Sequence, residues 1–169
     1  VMNASNSIVV VNRNTFESVG TIDSELSNPR YITFSEGKAF VSNWGDLSNP
    51  DDDFIAVINA DNFTVESTID VAEGPEKLIS GNGKIYVAHT GVYNISDKVS
   101  VIDPVKNEFD TEITVGAVPN SLVLHNNYLW VLSGGKPSYL DDESAGSLSK
   151  IDLGTNQVVK EIPFSNPTD

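Results

Sequence analysis

The sequence contains no cysteine among its 169 residues. Thiolate nucleophiles, cysteine-based metal sites and disulfides are therefore excluded together. Basic residues are also scarce, since 10 Lys and Arg face 24 Asp and Glu and leave a formal net charge of −14. Because this charge repels phosphate backbones and anionic membrane surfaces, we expect no nucleic-acid partner. No run approaches the roughly 18 consecutive apolar residues that a membrane-spanning helix needs.

What the sequence does contain is a repeat of roughly 45 residues, a period in the range of solenoids and propellers. Pro29, Pro75 and Pro119 stand 46 and 44 residues apart, and each precedes two β-rich runs. Two more such runs follow in every repeat, the first of them at residues 8–12, 55–59, 99–103 and 148–152. Val, Ile, Thr and aromatic residues dominate these runs, and Gly, Pro, Asn or Asp bound them, which predicts consecutive strands without any helix.

The connections within the repeat favour antiparallel pairing. Asn82-Gly83 lies between two predicted strands, and this dipeptide indicates a tight hairpin because both residues tolerate positive φ. Four antiparallel strands in roughly 45 residues match one blade of a β-propeller, in which the first strand lines the central channel. The predicted fold class is therefore an all-β propeller, with strands A to D running outward in each blade.

Several short blocks resemble a known family. Phe40-Val41-Ser42-Asn43 and Tyr86-Val87-Ala88-His89, together with the Gly74-Pro75 step and the segment from Gly116 to Pro119, are similar to the YVTN-type surface-layer β-propeller repeat. The resemblance implies a ring of about seven four-stranded blades in one chain. We therefore interpret residues 1–169 as a partial propeller of about three and a half blades: strands B to D at 1–23, full blades at 28–70, 74–115 and 118–164, and the start of another at 165–169.

This interpretation carries two further expectations. The polypeptide should extend beyond both ends of the sequence, with a two-chain ring of half-propellers as the alternative. Packing between neighbouring blades should bury the side chains of Phe40, Tyr86, Trp130, Val11, Ile58 and Ile102.

The loops between strands B and C are long and unequal, at residues 44–53, 90–97 and 134–146, whereas the A–B and C–D turns are short. All three should emerge on the face that carries the proline-containing D–A connections. Because loops longer than a connection requires often carry function, we predict the binding surface there.

The residues of this face suit a polar organic ligand. Aromatic loop residues supply flat surfaces, the ends of strand B supply hydrogen-bonding groups at the channel rim, and two cations begin the channel-lining strands. The predicted ligand-binding residues are Asn43, Trp44, His89, Tyr93, Tyr139, Arg30 and Lys77. The alternatives are that the aromatic residues only cover blade edges and that His89 is a satisfied strand-end group.

The sequence offers little support for a catalytic site or a metal site. The acidic segments 51–53 and 141–143 offer oxygen ligands for Ca²⁺ but lack the spacing of a dedicated calcium loop, so solvated loop charge is the competing interpretation. His89 and His125, the only histidines, are predicted on opposite faces, which leaves no two-histidine metal site. We therefore predict no metal, no cofactor and no enzyme activity; a lyase using His89 with Asp97 is the alternative.

The predicted function is ligand binding. YVTN-type propellers are commonly exported, and the resemblance implies a lipoprotein on the extracellular face of the bacterial outer membrane. There it would capture a nutrient such as cobalamin for a TonB-dependent transporter. The alternative is an adhesion or assembly module that binds a protein or a polysaccharide through the same loops.

Overall fold

Strands account for nearly all of the regular structure. The computed structural model describes residues 1–165. Its strands are β1 (Ile8–Val11), β2 (Ser18–Ile22), β3 (Pro29–Ser35), β4 (Lys38–Asn43), β5 (Phe54–Asn59), β6 (Val65–Asp70), β7 (Pro75–Gly81), β8 (Lys84–His89), β9 (Lys98–Asp103), β10 (Glu108–Thr114), β11 (Pro119–His125), β12 (Tyr128–Ser133), β13 (Ser147–Asp152) and β14 (Gln157–Pro163). Helical structure within 1–165 is limited to the 3-10 turn Asn3–Ser5, and no helix there could cross a membrane.

The strands form four antiparallel sheets in chain order. Strands β1 and β2 make a two-stranded sheet, which we name blade I, extended by an isolated bridge between Met2 and Ser7. Strands β3–β6, β7–β10 and β11–β14 make the four-stranded blades II, III and IV. The inner strand β7 lies beside both β3 and β11. The all-β architecture of about three and a half blades is therefore confirmed, while the predicted further blade at 165–169 lies outside the described residues except for Ser165.

The tight A–B turns follow the predicted chemistry. Asn82 and Gly83 connect β7 to β8 with φ of 51° and 70°. The equivalent pairs Glu36-Gly37 and Asn126-Asn127 also have positive φ at both residues. These values match the twist of the flanking strands, so each pair closes its hairpin with two residues.

The C–D turns explain why each strand C ends in Asn or Asp. In blade II the side-chain oxygen of Asn59 accepts hydrogen bonds from the amides of Asp61 and Asn62, at 2.9 and 3.2 Å. Asp103 does the same for the amides of Val105 and Lys106, at 3.0 and 3.1 Å. A short side chain that replaces a backbone partner in this way fixes the turn. Asn12 and Asp152 occupy the equivalent positions in blades I and IV.

The hydrophobic core lies between blades. Phe40, packed between blades II and III, and Tyr86, between blades III and IV, are both fully buried. Ile58 and Ile102 are also buried as predicted. The prediction is wrong for two residues: Val11 is 49% exposed and Trp130 is half-buried with Lys150 over its ring. Val11 borders an open apolar pocket between blades I and II. Trp130 lies on the face of blade IV opposite to the one that Leu129 and Val131 pack against blade III.

A repeated backbone contact ties each B–C loop to the connection between successive blades. The first loop residue donates its amide hydrogen to the carbonyl of the residue that precedes the blade's proline. The donors and acceptors are Trp44 to Asn28 (3.2 Å), Thr90 to Gly74 (2.9 Å) and Gly134 to Val118 (2.9 Å). The loops at 44–53, 90–97 and 134–146 therefore share one side of the molecule with the D–A connections, and we call this side the loop face.

Candidate functional site

The ends of strand B turn inward. Asn43 and His89 are fully buried, so the prediction that they reach a ligand at the channel rim is not supported. Asn43 accepts a hydrogen bond from the amide of Ser27 (3.0 Å) and donates one to the carbonyl of Val41 (2.9 Å). The side-chain amide of Asn43 therefore holds the D–A connection between blades I and II in place.

His89 has a comparable structural position. Its Nε2 lies 2.8 Å from the hydroxyl of Ser100 in the neighbouring strand. Burial lowers the pKa of His89 to about 4, against the opposing effect of the nearby backbone carbonyls of Ala72 and Glu73. The imidazole is therefore neutral at physiological pH. It pairs with Ser100 rather than with Asp97, so the predicted lyase-like pair is not formed.

Arg30 and Trp44 belong to one cluster at the entrance to the channel-lining strands. The Arg30 guanidinium makes a two-pronged ion pair with Glu76, with N···O distances of 2.9 and 3.0 Å. It also lies 4.0 Å from the centre of the Trp44 ring, while the Trp44 indole donates to the carbonyl of Pro75 at 3.1 Å. Both predicted site residues are thus engaged in joining blade II to blade III.

Lys77 adjoins this cluster. Its Nζ lies 5.7 Å from the ring centre of Tyr31 on the neighbouring inner strand, and both side chains retain access to solvent. A ligand role for Lys77 stays a prediction, and this residue lies on a different element from the exposed loop aromatics.

The two predicted tyrosines come together in one cleft. Tyr93 and Tyr139 are 69% and 81% exposed, and both border a cleft of about 260 Å³ between the B–C loops of blades III and IV. The remaining lining is Thr90, Gly91, Val92, Asn94, Ile95, Val118, Gly135 and Pro137. No Lys or Arg is among these lining residues. The cleft thus combines aromatic faces with backbone and amide polar groups, as small-molecule sites do.

A carboxylate that the sequence analysis missed holds the first of these loops. Glu73 Oε1 accepts the amides of Val92, Tyr93 and Asn94 at 3.1, 2.7 and 3.2 Å, and Oε2 accepts from the Asn94 side chain at 2.8 Å. Burial works to raise the pKa of Glu73, but these hydrogen bonds outweigh it and lower the pKa. The ionised carboxylate therefore fixes the backbone that carries Tyr93.

Asp53, which the sequence analysis weighed only as part of the acidic segment 51–53, lies beneath the loop face. Asp53 is 2% exposed, and one of its oxygens accepts the amide of Gly74. Burial, and then the nearby charges of Asp52 and Glu73, raise the pKa of Asp53 to about 6 despite that hydrogen bond. Asp53 borders the seam where the Trp44 loop meets Tyr93, and this seam leaves no room for a water molecule.

The acidic loops are not arranged as a metal site. Within residues 1–165, no group of three or more His, Cys, Asp or Glu side chains could hold a metal ion. Asp52 instead accepts the backbone amide of Asp46 with both oxygens, at 3.2 and 3.1 Å. In the later loop, Asp142 is paired with Lys136.

Comparison with known proteins identifies the fold. No protein-family model matches the sequence, and no characterised protein is similar to it in sequence. Among solved structures, Kuenenia stuttgartiensis hydrazine synthase matches 96% of this chain with a TM-score of 0.79 and 18% identity. The dihydro-heme d1 dehydrogenase NirN in complex with DHE matches 98% with a TM-score of 0.71 and 15% identity. Glutaminyl cyclase from Myxococcus xanthus matches 94% with a TM-score of 0.54 and 14% identity.

These matches show that the chain has the β-propeller fold. The chain spans 44% of the hydrazine synthase chain, 35% of the dehydrogenase chain and 62% of the cyclase chain. The similar structures include enzymes, and this finding contradicts the prediction that the chain has no enzyme activity. At these sequence identities the likeness concerns the fold alone, so none of these activities passes to the chain.

Proposed function

We propose that the loop face binds a polar organic ligand and that the cleft between Tyr93 and Tyr139 is its site. The observation that carries the proposal is the convergence of two exposed tyrosine rings on one cleft of about 260 Å³. Exposed aromatic side chains are costly to leave in water without a partner, and they supply rigid contact area at little cost in conformational entropy. Most small-molecule sites are somewhat larger, roughly 300 to 1,000 Å³. The cleft therefore suits a ring or a substituent of a ligand rather than a whole macrocycle.

The setting of this binding is proposed from the family resemblance. The protein captures a nutrient on the extracellular face of a bacterial outer membrane and passes it to a TonB-dependent transporter, and cobalamin is the nutrient to test first. One protein of similar fold, the dehydrogenase, is a complex with DHE, so the fold is compatible with ligand binding. A corrinoid would place one side group in the cleft and rest its larger surface on the neighbouring loops.

The competing function is adhesion or assembly with a protein or polysaccharide. It is favoured by one observation, the exposed acidic segment at residues 141–143 in the loop that carries Tyr139. Surface charge of this kind steers association with a charged partner and sets its ionic-strength dependence.

Calorimetric titration with cobalamin, at low and at high salt, separates the two functions. We expect heat of binding at micromolar protein, little affected by salt, and a loss of affinity of roughly tenfold in Tyr93→Ala and Tyr139→Ala. Tyr31→Ala removes an exposed tyrosine outside the cleft and is the matched control. No heat with cobalamin would reject the vitamin and favour the adhesion module. Binding that survives both cleft substitutions would reject the cleft as the site.

A further inference from the structure

The charges around the cleft restrict what it can bind. None of the residues that line the cleft is basic. Carboxylates instead surround it: Glu73 lies behind the loop of Tyr93, and Asp141, Asp142 and Glu143 are exposed in the loop of Tyr139. Asp46 and Asp51 are exposed on the adjoining loop. The exposed charges around the cleft are thus mostly acidic, and charge of this sign disfavours an anionic ligand.

Three basic residues of the loop face do little to offset this acidic charge, because each is paired with a carboxylate, and Lys77 on the inner strand does not line the cleft. Lys136 is paired with Asp142, and Lys98 with Asp97 and Glu112. Arg30 is paired with Glu76. The formal net charge of each of these groups is zero or negative. A cation brought by a ligand would therefore meet unopposed carboxylates.

The exposed tyrosine rings give such a cation a short-range partner. Elsewhere in the fold, aromatic rings already hold protein cations, with Arg30 4.0 Å from the Trp44 ring centre and Lys150 3.6 Å from that of Tyr128. Tyr93 and Tyr139 border a cleft to whose lining no Lys or Arg contributes. A cation over an aromatic face is attracted by the ring quadrupole, and quaternary ammonium groups are recognised in this way.

From these observations we infer that the group bound in the cleft is an organic cation of the ammonium type. This inference rests on the proposed function, because it assigns the chemical class of the ligand group to the same cleft. Cobalamin carries amide groups and a phosphodiester but no ammonium group, so cobalamin and an ammonium ligand are alternatives for this cleft. Tyr93 and Tyr139 contribute the aromatic faces, and the surrounding carboxylates contribute the long-range attraction.

The test compares choline with 3,3-dimethylbutan-1-ol, its uncharged carbon isostere, in titrations followed by protein NMR or calorimetry. We expect choline to bind with a dissociation constant in the millimolar range, and the neutral isostere to bind between about 2-fold and 30-fold more weakly. Raising the salt concentration should weaken choline binding, because it screens the exposed carboxylates. Asp141→Asn with Glu143→Gln should have the same effect without altering the cleft lining.

Substitutions of the two tyrosines distinguish a cation site from nonspecific binding. Tyr93→Phe and Tyr139→Phe retain the aromatic faces and should keep choline affinity within about 2-fold, whereas the alanine variants should lose it. Equal binding of choline and its isostere, or no choline binding at all, would overturn the inference. If cobalamin still bound and both alanine variants abolished that binding, the proposed function would stand without the cation. If neither alanine substitution changed the affinity for choline, both the inferred cation site and the proposed cleft would be refuted.

Discussion

Replacing Asp53 by asparagine is expected to stabilise the protein at neutral pH and to leave its stability nearly unchanged in acid. The side chain is 2% exposed, and burial beside the charges of Asp52 and Glu73 raises its pKa to about 6. In the unfolded chain an aspartate has a pKa of roughly 3.9. The native state therefore holds this proton more tightly than the unfolded state does.

The direction of the pH dependence follows from these two values. Below about pH 4 the carboxyl group is protonated in both states, and Asp53 imposes no electrostatic penalty. As the pH rises from about 4 to 6, the unfolded state releases the proton first, so stability falls. Above pH 6 the penalty is constant. Since each pH unit of separation corresponds to ~1.4 kcal/mol, this penalty is on the order of 3 kcal/mol.

Asparagine removes the charge but keeps a side-chain oxygen that can accept the hydrogen bond from the Gly74 amide, as the native carboxylate does. Its NH₂ group also needs a partner, which consumes part of the gain. We expect Asp53→Asn to raise the free energy of unfolding by about 1 to 3 kcal/mol at pH 7.5. Near pH 4 the gain should fall below ~0.5 kcal/mol.

Urea unfolding followed by tryptophan fluorescence at both pH values measures these differences. Asp51→Asn changes an exposed carboxylate of the same loop and should alter stability by less than ~0.5 kcal/mol at either pH. A variant that is less stable than the native protein at pH 7.5, or that gains equally at both pH values, would refute the argument from burial.

Three further predictions test the supporting structure. Glu73→Gln should speed amide hydrogen exchange at residues 92–94 by roughly tenfold, because a neutral acceptor forms weaker hydrogen bonds than the carboxylate; exchange as slow as in the native protein would contradict this. Phe40→Ala should cost roughly 3–5 kcal/mol in urea unfolding, against less than about 2 kcal/mol for the half-buried Trp130→Ala, and equal losses would show that Trp130 is buried in solution. Asn82→Ala should cost about 1–2 kcal/mol in thermal unfolding because alanine disfavours positive φ; an unchanged melting temperature would argue against the tight turn.

Much of the fold could be predicted from the sequence because its causes are local and repeated. The prolines that begin strand A and the two-residue A–B turns each act within a few residues, and both recur at the blade period. The structure explains the recurrence of Asn59 and Asp103 at equivalent positions, since each accepts two amides of its own C–D turn. Signals of this kind can be read from the sequence without knowledge of tertiary contacts.

The exposed part of the candidate site was also predictable, but the residues that hold it in place were not. The unequal B–C loops pointed to Tyr93 and Tyr139 because loop length is visible in the sequence. Asp53 is visible in the sequence only as part of the acidic segment 51–53, and Glu73 only as the residue before the Gly74-Pro75 step; neither pattern indicates that the side chain holds a loop. Their partners are 19 to 21 residues away and belong to other connections. Such pairings depend on how the blades bring two loops together, and periodicity does not encode that.

The alternation of side chains along strand B argues against placing Asn43 and His89 at the channel rim. Asn43 lies two residues after Val41, and His89 two residues after Val87. Because alternate residues of a strand share a face, each polar side chain points in the same direction as a buried valine. That face is the interface with the preceding blade, so the polar groups had to be paired internally, and the structure gives them Ser27 and Ser100. Asn43 therefore braces a D–A connection and His89 braces strand C of its own blade, while the proposed ligand-binding tyrosines are carried by the loops beyond them.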